Sequence, residues 1–280
     1  MAVQAEVRAG SGILNISDRE FALFQKFIFE AAGITLSDTK KALVNGRLAK
    51  RVKHLDLDSY GDYFRLISSG AEPKELQTAI DLLTTNETYF FREPLHFDYM
   101  KAQLAKDVLY SRPLRVWSAA SSTGEEPYSI AMLLQDSLGS VGRPWEIVAS
   151  DISSRVLERA ATGHYSSART EGIPPHYLRK YCLRGTGSQT GTILVDRKLR
   201  QQVTFRQINL NCALPQLGTF DFIFLRNVLL YFNLQTKRQV VERVLSMLKP
   251  GGWLFVSHTE TLYEITDAVE AVKPSIYYKR

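Results

Sequence analysis

The sequence predicts an α/β fold, a mostly parallel doubly wound sheet preceded by a small all-α domain. Three observations predict it. From Arg112 onward, short apolar runs alternate with helical stretches, as a parallel sheet requires. Over the first ~80 residues, apolar positions recur at helical spacing instead. Between them, Arg115 to Ile130, RVWSAASSTGEEPYSI, reads as strand, tight loop and helix. In open α/β sheets such a junction, at the carboxyl end of a strand, is where ligands bind.

Size and composition bound the rest. A chain of 280 residues suggests two domains, on a loose prior of ~150 residues each. With 45% hydrophobic residues there is material for a core. No apolar run approaches the roughly 18 residues that span a bilayer. The first ten residues, MAVQAEVRAG, carry no apolar signal-peptide core, so a cytoplasmic protein is expected. Cys182 and Cys212 fit neither a disulfide framework nor a zinc pattern, and no H-E-x-x-H occurs, so no metal is expected. The net charge of +6 favours an acidic partner, either nucleic acid or an acidic protein surface.

Taken in order, residues 1 to about 16 read as a disordered lead. Ser17 and Glu20 stand at capping-box spacing and open a helix with an apolar face of Phe21, Phe24, Phe27 and Ile28, which Gly33 ends. A second helix, about Lys40 to Leu55, has a core stripe of Val44, Leu48, Val52 and Leu55. Lys40, Arg47, Lys50 and Arg51 gather beside that stripe, and no acid occurs from Thr39 to Leu55. This is either a docking face or a solvated face whose side-chain stems cover the core. Asp58 to Gly70 is a third helix, with Tyr60, Phe64 and Ile67 inward, and Glu72 to Leu83 is a fourth. Thr84 to Glu93, TTNETYFFRE, has no period and predicts an inter-domain segment. In it Tyr89, Phe90 and Phe91 pack, while Asn86, Thr88 and Arg92 are the polar elements. Leu95 to Leu109 is helical.

The loop after the first strand lacks G-x-x-x-x-G-K-[ST] and has one glycine rather than G-x-G-x-x-G, which argues against a nucleotide-phosphate cradle. Glu125 and Glu126 stand at the helix start. A carboxylate there would repel a pyrophosphate and attract an ammonium or sulfonium; alternatively both complement the helix dipole. Asp151 ends the next strand, Glu146 to Ser150. It lies about 25 residues past the loop, near the spacing at which an acid accepts ribose hydroxyls. A ligand with a ribose, a cationic end and no phosphate requirement is S-adenosylmethionine.

Ser153 to Thr162 and Pro174 to Tyr181 are helices. RGTGSQTG, Arg184 to Gly191, is turn chemistry before a strand at Thr192 to Val195. It predicts an inserted β-hairpin, either a partner-binding element or a plain surface flap. Gln202 to Ile208 is a strand. Phe220 to Leu225 is a near-continuous apolar strand, buried on both faces. Leu234 to Leu248 is a helix closed by Lys249-Pro250-Gly251-Gly252; Trp253 to Ser257 and Ile276 to Tyr278 are the last strands.

TTNETYFFRE, WSAASSTGEEPYS, ASD, the INL at Ile208 to Leu210, FLRNVLLYF and LKPGGWLF, in that order and spacing, resemble the CheR family of chemotaxis receptor glutamate O-methyltransferases. The resemblance runs from about Phe21 to Tyr278. It implies the class I S-adenosylmethionine-dependent methyltransferase fold with a helical N-terminal domain over residues 1–80. A linker and connecting helix would occupy 81–110, and the methyltransferase domain 111–280, with a β-subdomain insert at about 181–202. It further implies that Asn86, Thr88 and Arg92 contact the methionine end of the cofactor, that Glu126, with Glu125 as the second candidate, holds the α-ammonium, and that Asp151 accepts the ribose hydroxyls. Asn209, Leu210, Asn227 and Val228 would surround the adenine and adjoining cofactor, and Arg92 and Tyr231 would face the incoming carboxylate. The product would be S-adenosylhomocysteine.

The partner implied is the cytoplasmic domain of a chemotaxis receptor, met by Lys40, Arg47, Lys50 and Arg51. Arg184, Gly185, Thr186 and Gly187 resemble members that bind a C-terminal peptide tether on the receptor. Near Leu194 the hairpin departs from some of those members in lacking a basic residue. Two rivals are a nucleic-acid methyltransferase and a non-catalytic S-adenosylmethionine-dependent binding module. Against the first, Arg226-Asn227-Val228-Leu229 has no proline where base amino-group methylation uses [ND]-P-P-[YF]. Neither nucleic acid nor a membrane-inserted segment is therefore expected. Glutamate, with a pKa near 4.3, is already ionised at neutral pH, so methyl transfer to it needs no general base.

Overall fold

A computed structural model describes residues 15–106 and 112–280. The expected disordered lead, up to residue 14, and the end of the expected 95–109 helix lie outside the described residues. The chain divides into two compact units: residues up to Phe27 with Leu36–Leu83, and Ile28–Thr35 with Thr84–Arg280.

The first unit is all helical. Helix α1 (Asp18–Ala32) opens on the expected capping box: Glu20 N–H donates to Ser17 Oγ (3.2 Å) and Ser17 N–H to the Glu20 carboxylate (2.9 Å). A 3-10 turn (Asp38–Lys40) precedes α2 (Lys41–His54), which buries Val44, Leu48 and Val52. Helix α3 (Tyr60–Ser68) is capped by Ser59, whose hydroxyl accepts from Asp62 N–H. It turns Tyr63 fully inward, and Phe64, expected there, is half-buried. The Tyr63 hydroxyl has a partner to reach: it donates to Glu75 of α4 (Pro73–Leu83) at 2.7 Å.

Arg51 also pairs with Glu75, through both carboxylate oxygens. That pairing changes the basic face of α2. Arg51 is spent inside the domain, and Arg47 donates to the Leu83 carbonyl at 3.0 Å. Lys40 sits in the turn before α2, and it and Lys50 are exposed. The compensating acid lies 24 residues from Arg51, outside any window that covers a single helix.

In the second unit, Thr84–Glu93 is irregular. Phe90 and Phe91 belong to this unit's own core, whereas Tyr89 is half exposed and lies outside it. After α5 (Pro94–Lys106) come β1 (Leu114–Ser118), α6 (Glu125–Leu138), β2 (Trp145–Asp151), α7 (Ser154–Thr162), β3 (His164–Ser166), α8 (Pro175–Tyr181), β4 (Cys182–Arg184), β5 (Thr192–Val195) and α9 (Arg197–Arg200). Then follow β6 (Val203–Gln207), β7 (Phe220–Phe224), α10 (Leu234–Ser246), β8 (Leu248–Phe255), β9 (Glu270–Lys273) and β10 (Ile276–Tyr278).

The main sheet has the order β6-β2-β1-β7-β8-β10-β9. Its first five strands run parallel, and β10 is antiparallel to both neighbours. Strand β7 is buried along its whole length, as its unbroken apolar run requires. The chain winds outward through β1, β2 and β6, then returns to the other side of β1 through β7 and β8. The switch point therefore lies between β1 and β7, and the crevice beyond their carboxyl ends is the place for a ligand.

A second, antiparallel sheet has the order β3-β5-β4. The expected hairpin is its β4–β5 half. Strand β3 adds to it, so this subdomain starts at His164, well before residue 181. Three residues are too few to show an alternation. Strand β9 has no counterpart in the sequence reading, because it is exposed throughout and carries no apolar signal. The run Lys249–Gly252, expected to close a helix, is instead part of β8.

Candidate active site

The loops after β1, β2, β6 and β7 and the segment Thr84–Arg92 line one cleft of about 910 Å³, its open mouth included. Asn86, Thr88, Arg92, Glu126, Asp151, Asn209, Leu210, Asn227, Val228 and Tyr231 all line it. The sequence spreads these residues from position 86 to position 231, and the switch point gathers them.

Glu125 and Glu126 part company here. As neighbours on a helix they point about 100° apart. Glu126 faces the cleft. Its Oε1 accepts from Ser118 Oγ at 2.7 Å and its Oε2 from Arg226 Nη1 at 3.0 Å. Burial pushes its carboxyl above the usual range, against the pull of Arg226. Glu125 is fully buried away from the cleft, bonded by Thr123 Oγ1 (2.6 Å) and paired with Arg169 (2.5 Å).

Asp151 is held by the backbone. Its Oδ2 accepts from Ser122 N–H (2.9 Å) and its Oδ1 from Ser153 N–H (3.0 Å). Asn209 spends its amide locally, donating to Ala31 O (2.7 Å) and accepting from Asn211 N–H (2.9 Å). It thereby fixes the backbone of the Ile208–Leu210 turn. Arg92 donates to Glu87 O at 3.1 Å and lies 5.4 Å over the Tyr89 ring. The Tyr231 carbonyl accepts from Thr35 N–H at 2.8 Å.

Several residues that organise the cleft had no role in the sequence reading. Arg226 is the main one. Its side chain is 1% exposed and faces two acids: Glu126, and Glu93 at 3.1 Å. It also bonds the Arg92 carbonyl. Burial opposes ionisation of Glu93, but Arg226 and the Ser257 hydroxyl outweigh it, and this carboxyl lies below the usual range. Glu260 is a second organiser, accepting from the backbone N–H groups of Asn227, Leu230 and Ser257 at 2.9–3.2 Å.

Phe91, Glu93, Ser122 and Asn227 hold positive φ (54°, 58°, 48° and 56°), a conformation that costs L-residues energy and clusters at functional sites. Their signal in the sequence is the odd composition of TTNETYFFRE, SAASSTG and FLRN, which fits no periodic element.

Glu93, His96 and His258 bring a carboxylate oxygen and two ring nitrogens within 4.8 Å. The Arg226 guanidinium beside Glu93 opposes a cation there. His96 is fully buried, and burial carries its pKa down to about 3.

Glu126 and Asp151 thus bring two anchored carboxylates into one switch-point cleft. Fold and site together put the chain among the class I S-adenosylmethionine-dependent methyltransferases. Residues 86–278 match the family model for the CheR methyltransferase SAM binding domain, and residues 19–84 match that for the CheR methyltransferase all-alpha domain. The chain belongs to the CheR methyltransferase family. It is 41% identical over 250 residues to the chemotaxis protein methyltransferase of Escherichia coli K12, covering 88% of this chain and 86% of that one. It is 40% identical over 269 residues to chemotaxis protein methyltransferase 2 of Pseudomonas aeruginosa, covering 96% and 95%. With chemotaxis protein methyltransferase 2 of Vibrio cholerae the identity is 36%, over 94% of each chain. Among the described residues, no helix is long and apolar enough to cross a membrane.

Proposed function

We propose that this enzyme methylates glutamate side chains on the cytoplasmic domain of chemotaxis receptors, yielding glutamyl methyl esters and S-adenosylhomocysteine. The observation that carries this reading is the cleft itself. Two anchored acids, Glu126 and Asp151, stand ready for a cofactor, Arg92 and Tyr231 share the cleft, and no histidine lines it. An acceptor that is already an anion needs no base.

S-adenosylmethionine supplies the methyl group on a sulfonium, a good leaving centre for in-line displacement. The chain's residues supply place and charge. Glu126 would hold the α-ammonium and Asp151 the ribose hydroxyls. Asn86, Thr88 and Arg92 would meet the methionine end, and the turns at Asn209–Leu210 and Asn227–Val228 would flank the adenine and adjoining cofactor. Arg92 and Tyr231 would orient the acceptor carboxylate and replace the water it sheds on entry. Their grip has to be moderate, because stabilising the ground-state anion too well would slow its attack. Alignment then supplies most of the acceleration.

On the helical unit, Lys40 and Lys50 are the exposed cations that would meet an acidic receptor helix, with Arg47 half-buried beside them. A C-terminal receptor tether would lie along β4 and Arg184–Gly187. Among the described residues β4 pairs only with β5, and Leu183 on it is 57% exposed. An edge strand of this kind accepts an extended peptide.

The test uses methyl-labelled S-adenosylmethionine and a receptor cytoplasmic fragment, with and without its C-terminal tail, followed by mild base. Volatile labelled methanol means a carboxyl methyl ester. Base-stable label would refute the reaction class, and equal rates with and without the tail would refute the tether.

A further inference from the structure

The segment Thr84–Glu93 supplies three of the residues assigned to the methionine end of the cofactor, yet it has no regular structure of its own. Something must hold it. Part of the hold comes from α6, where Ser129 Oγ accepts from Phe91 N–H at 2.9 Å. Ser122 Oγ donates to the Asn86 carbonyl at 2.8 Å and Arg226 bonds the Arg92 carbonyl. A further hold comes from β3 and the chain that follows it.

Three contacts define that further hold. Arg169, in the 3-10 turn Ser167–Arg169, points Nη2 at the Thr88 carbonyl (3.0 Å) and at Glu125 Oε1 (2.5 Å). Gly172 lies against the Phe90 carbonyl, where an added Cβ would overlap the oxygen. Tyr165, on β3, sets its ring edge-on to Phe90 at 5.0 Å and donates its hydroxyl to Thr123 O at 2.8 Å. The strap thus touches both the segment and the loop that leads into α6.

We propose that Arg169 is a positioning residue for the cofactor. By tying the Thr88 carbonyl to the buried Glu125 carboxylate, it fixes the stretch that meets the methionine end of S-adenosylmethionine. This rests on the assignment of Asn86, Thr88 and Arg92 to that end. It also gives Glu125 a task distinct from that of its neighbour Glu126. Glu125 anchors the guanidinium from inside the core, and a charged donor makes a stronger bond to a carbonyl than a neutral one.

Removing Arg169 alone would strand a fully buried carboxylate and damage the fold, so the comparison is made on Glu125→Gln. In that variant the amide oxygen takes the place facing Arg169 and its N–H donates to the Thr123 hydroxyl, so Arg169, one-third exposed, keeps a neutral partner and its bond to Thr88. The chain carrying Glu125→Gln and the chain carrying Glu125→Gln with Arg169→Met are each titrated calorimetrically with S-adenosylhomocysteine and with methylthioadenosine, which lacks the amino-acid end. Adding Arg169→Met should weaken S-adenosylhomocysteine about tenfold and leave methylthioadenosine unchanged. Equal weakening of both ligands would mean a general structural role and overturn the proposal, as would no change in either. Asp151→Asn is the control for the cleft. It should weaken both ligands; unchanged affinity for both there would overturn the cofactor assignment itself, and this inference with it.

Discussion

Replacing Arg226 by methionine is the sharpest challenge to the picture of the cleft. The guanidinium is all but inaccessible and lies against two carboxylates, Glu126 at 3.0 Å and Glu93 at 3.1 Å, whose side chains are 12% and 11% exposed. Methionine fills much of the same space without charge. It leaves two acids facing each other with no cation between them, and removing one partner of a buried pair costs about 3–5 kcal/mol. For a domain of this size each kcal/mol moves the melting midpoint by ~2–4 °C, so a drop of about 6–20 °C is expected near neutral pH.

The pH dependence gives a second handle. Arg226 lowers the pKa of both acids. Without it, burial meets less opposition, both pKa values rise, and protonation removes the unpaired charge. Thermal melts at about pH 8 and about pH 5 should therefore show the deficit shrinking in acid. Adding Glu93→Gln to Arg226→Met should recover part of the loss at the higher pH. A variant that melts within about 2 °C of the parent, or whose deficit is the same at both pH values, would refute the reasoning.

Three further outcomes are expected. Arg92→Ala should lower kcat by about a hundredfold with the melting curve unmoved, and Tyr231→Phe by no more than about tenfold, since only one hydrogen bond goes; steady-state kinetics on a receptor fragment decide, and near-normal turnover in the alanine variant would remove Arg92 from the mechanism. Because burial raises the Glu126 pKa, affinity for S-adenosylhomocysteine should start to fall, as pH drops, above the ordinary glutamate value of ~4.3, tending to a tenfold loss per pH unit; Glu126→Gln should bind weakly and lose that dependence. His96 is held neutral, its pKa falling from 6.5 to about 3, so between these values the unfolded chain binds the extra proton and stability rises with pH; His96→Gln should flatten that part of a urea-denaturation profile, and an unchanged profile would place the proton elsewhere.

Much of this was legible in the residues because local chemistry and topology agreed. The capping box at Ser17 and Glu20, the unbroken apolar run of β7 and the small polar loop after β1 each announce one structure. What escaped depends on direction rather than position. The sequence places Arg226 just past β7, but only the tertiary packing that brings Glu93 and α6 beside that loop turns its guanidinium inward onto Glu93 and Glu126. Likewise GEE at Gly124–Glu126 offers two acids, and the phase of α6 against the cleft separates them. The pairing of Arg51 is hidden for a different reason. A single helix shows only its own charges, and Glu75, which neutralises Arg51, arrives from another. Strands β3 and β9 are short or exposed, so pairing alone makes them strands.

The anchoring of Glu126 and Asp151 has a consequence for chemical selectivity. On the function proposed above, an enzyme that esterifies carboxylates would keep two carboxylates of its own beside the methyl donor. Each oxygen of these two already accepts a hydrogen bond, from Ser118, Arg226, Ser122 or Ser153. Such an oxygen is a poor nucleophile and cannot swing toward the sulfonium. The glutamate acceptor of that reading would be restrained by nothing until it enters. The difference between ligand and substrate would then be one of restraint rather than of functional group, and it would protect the catalyst from alkylating itself.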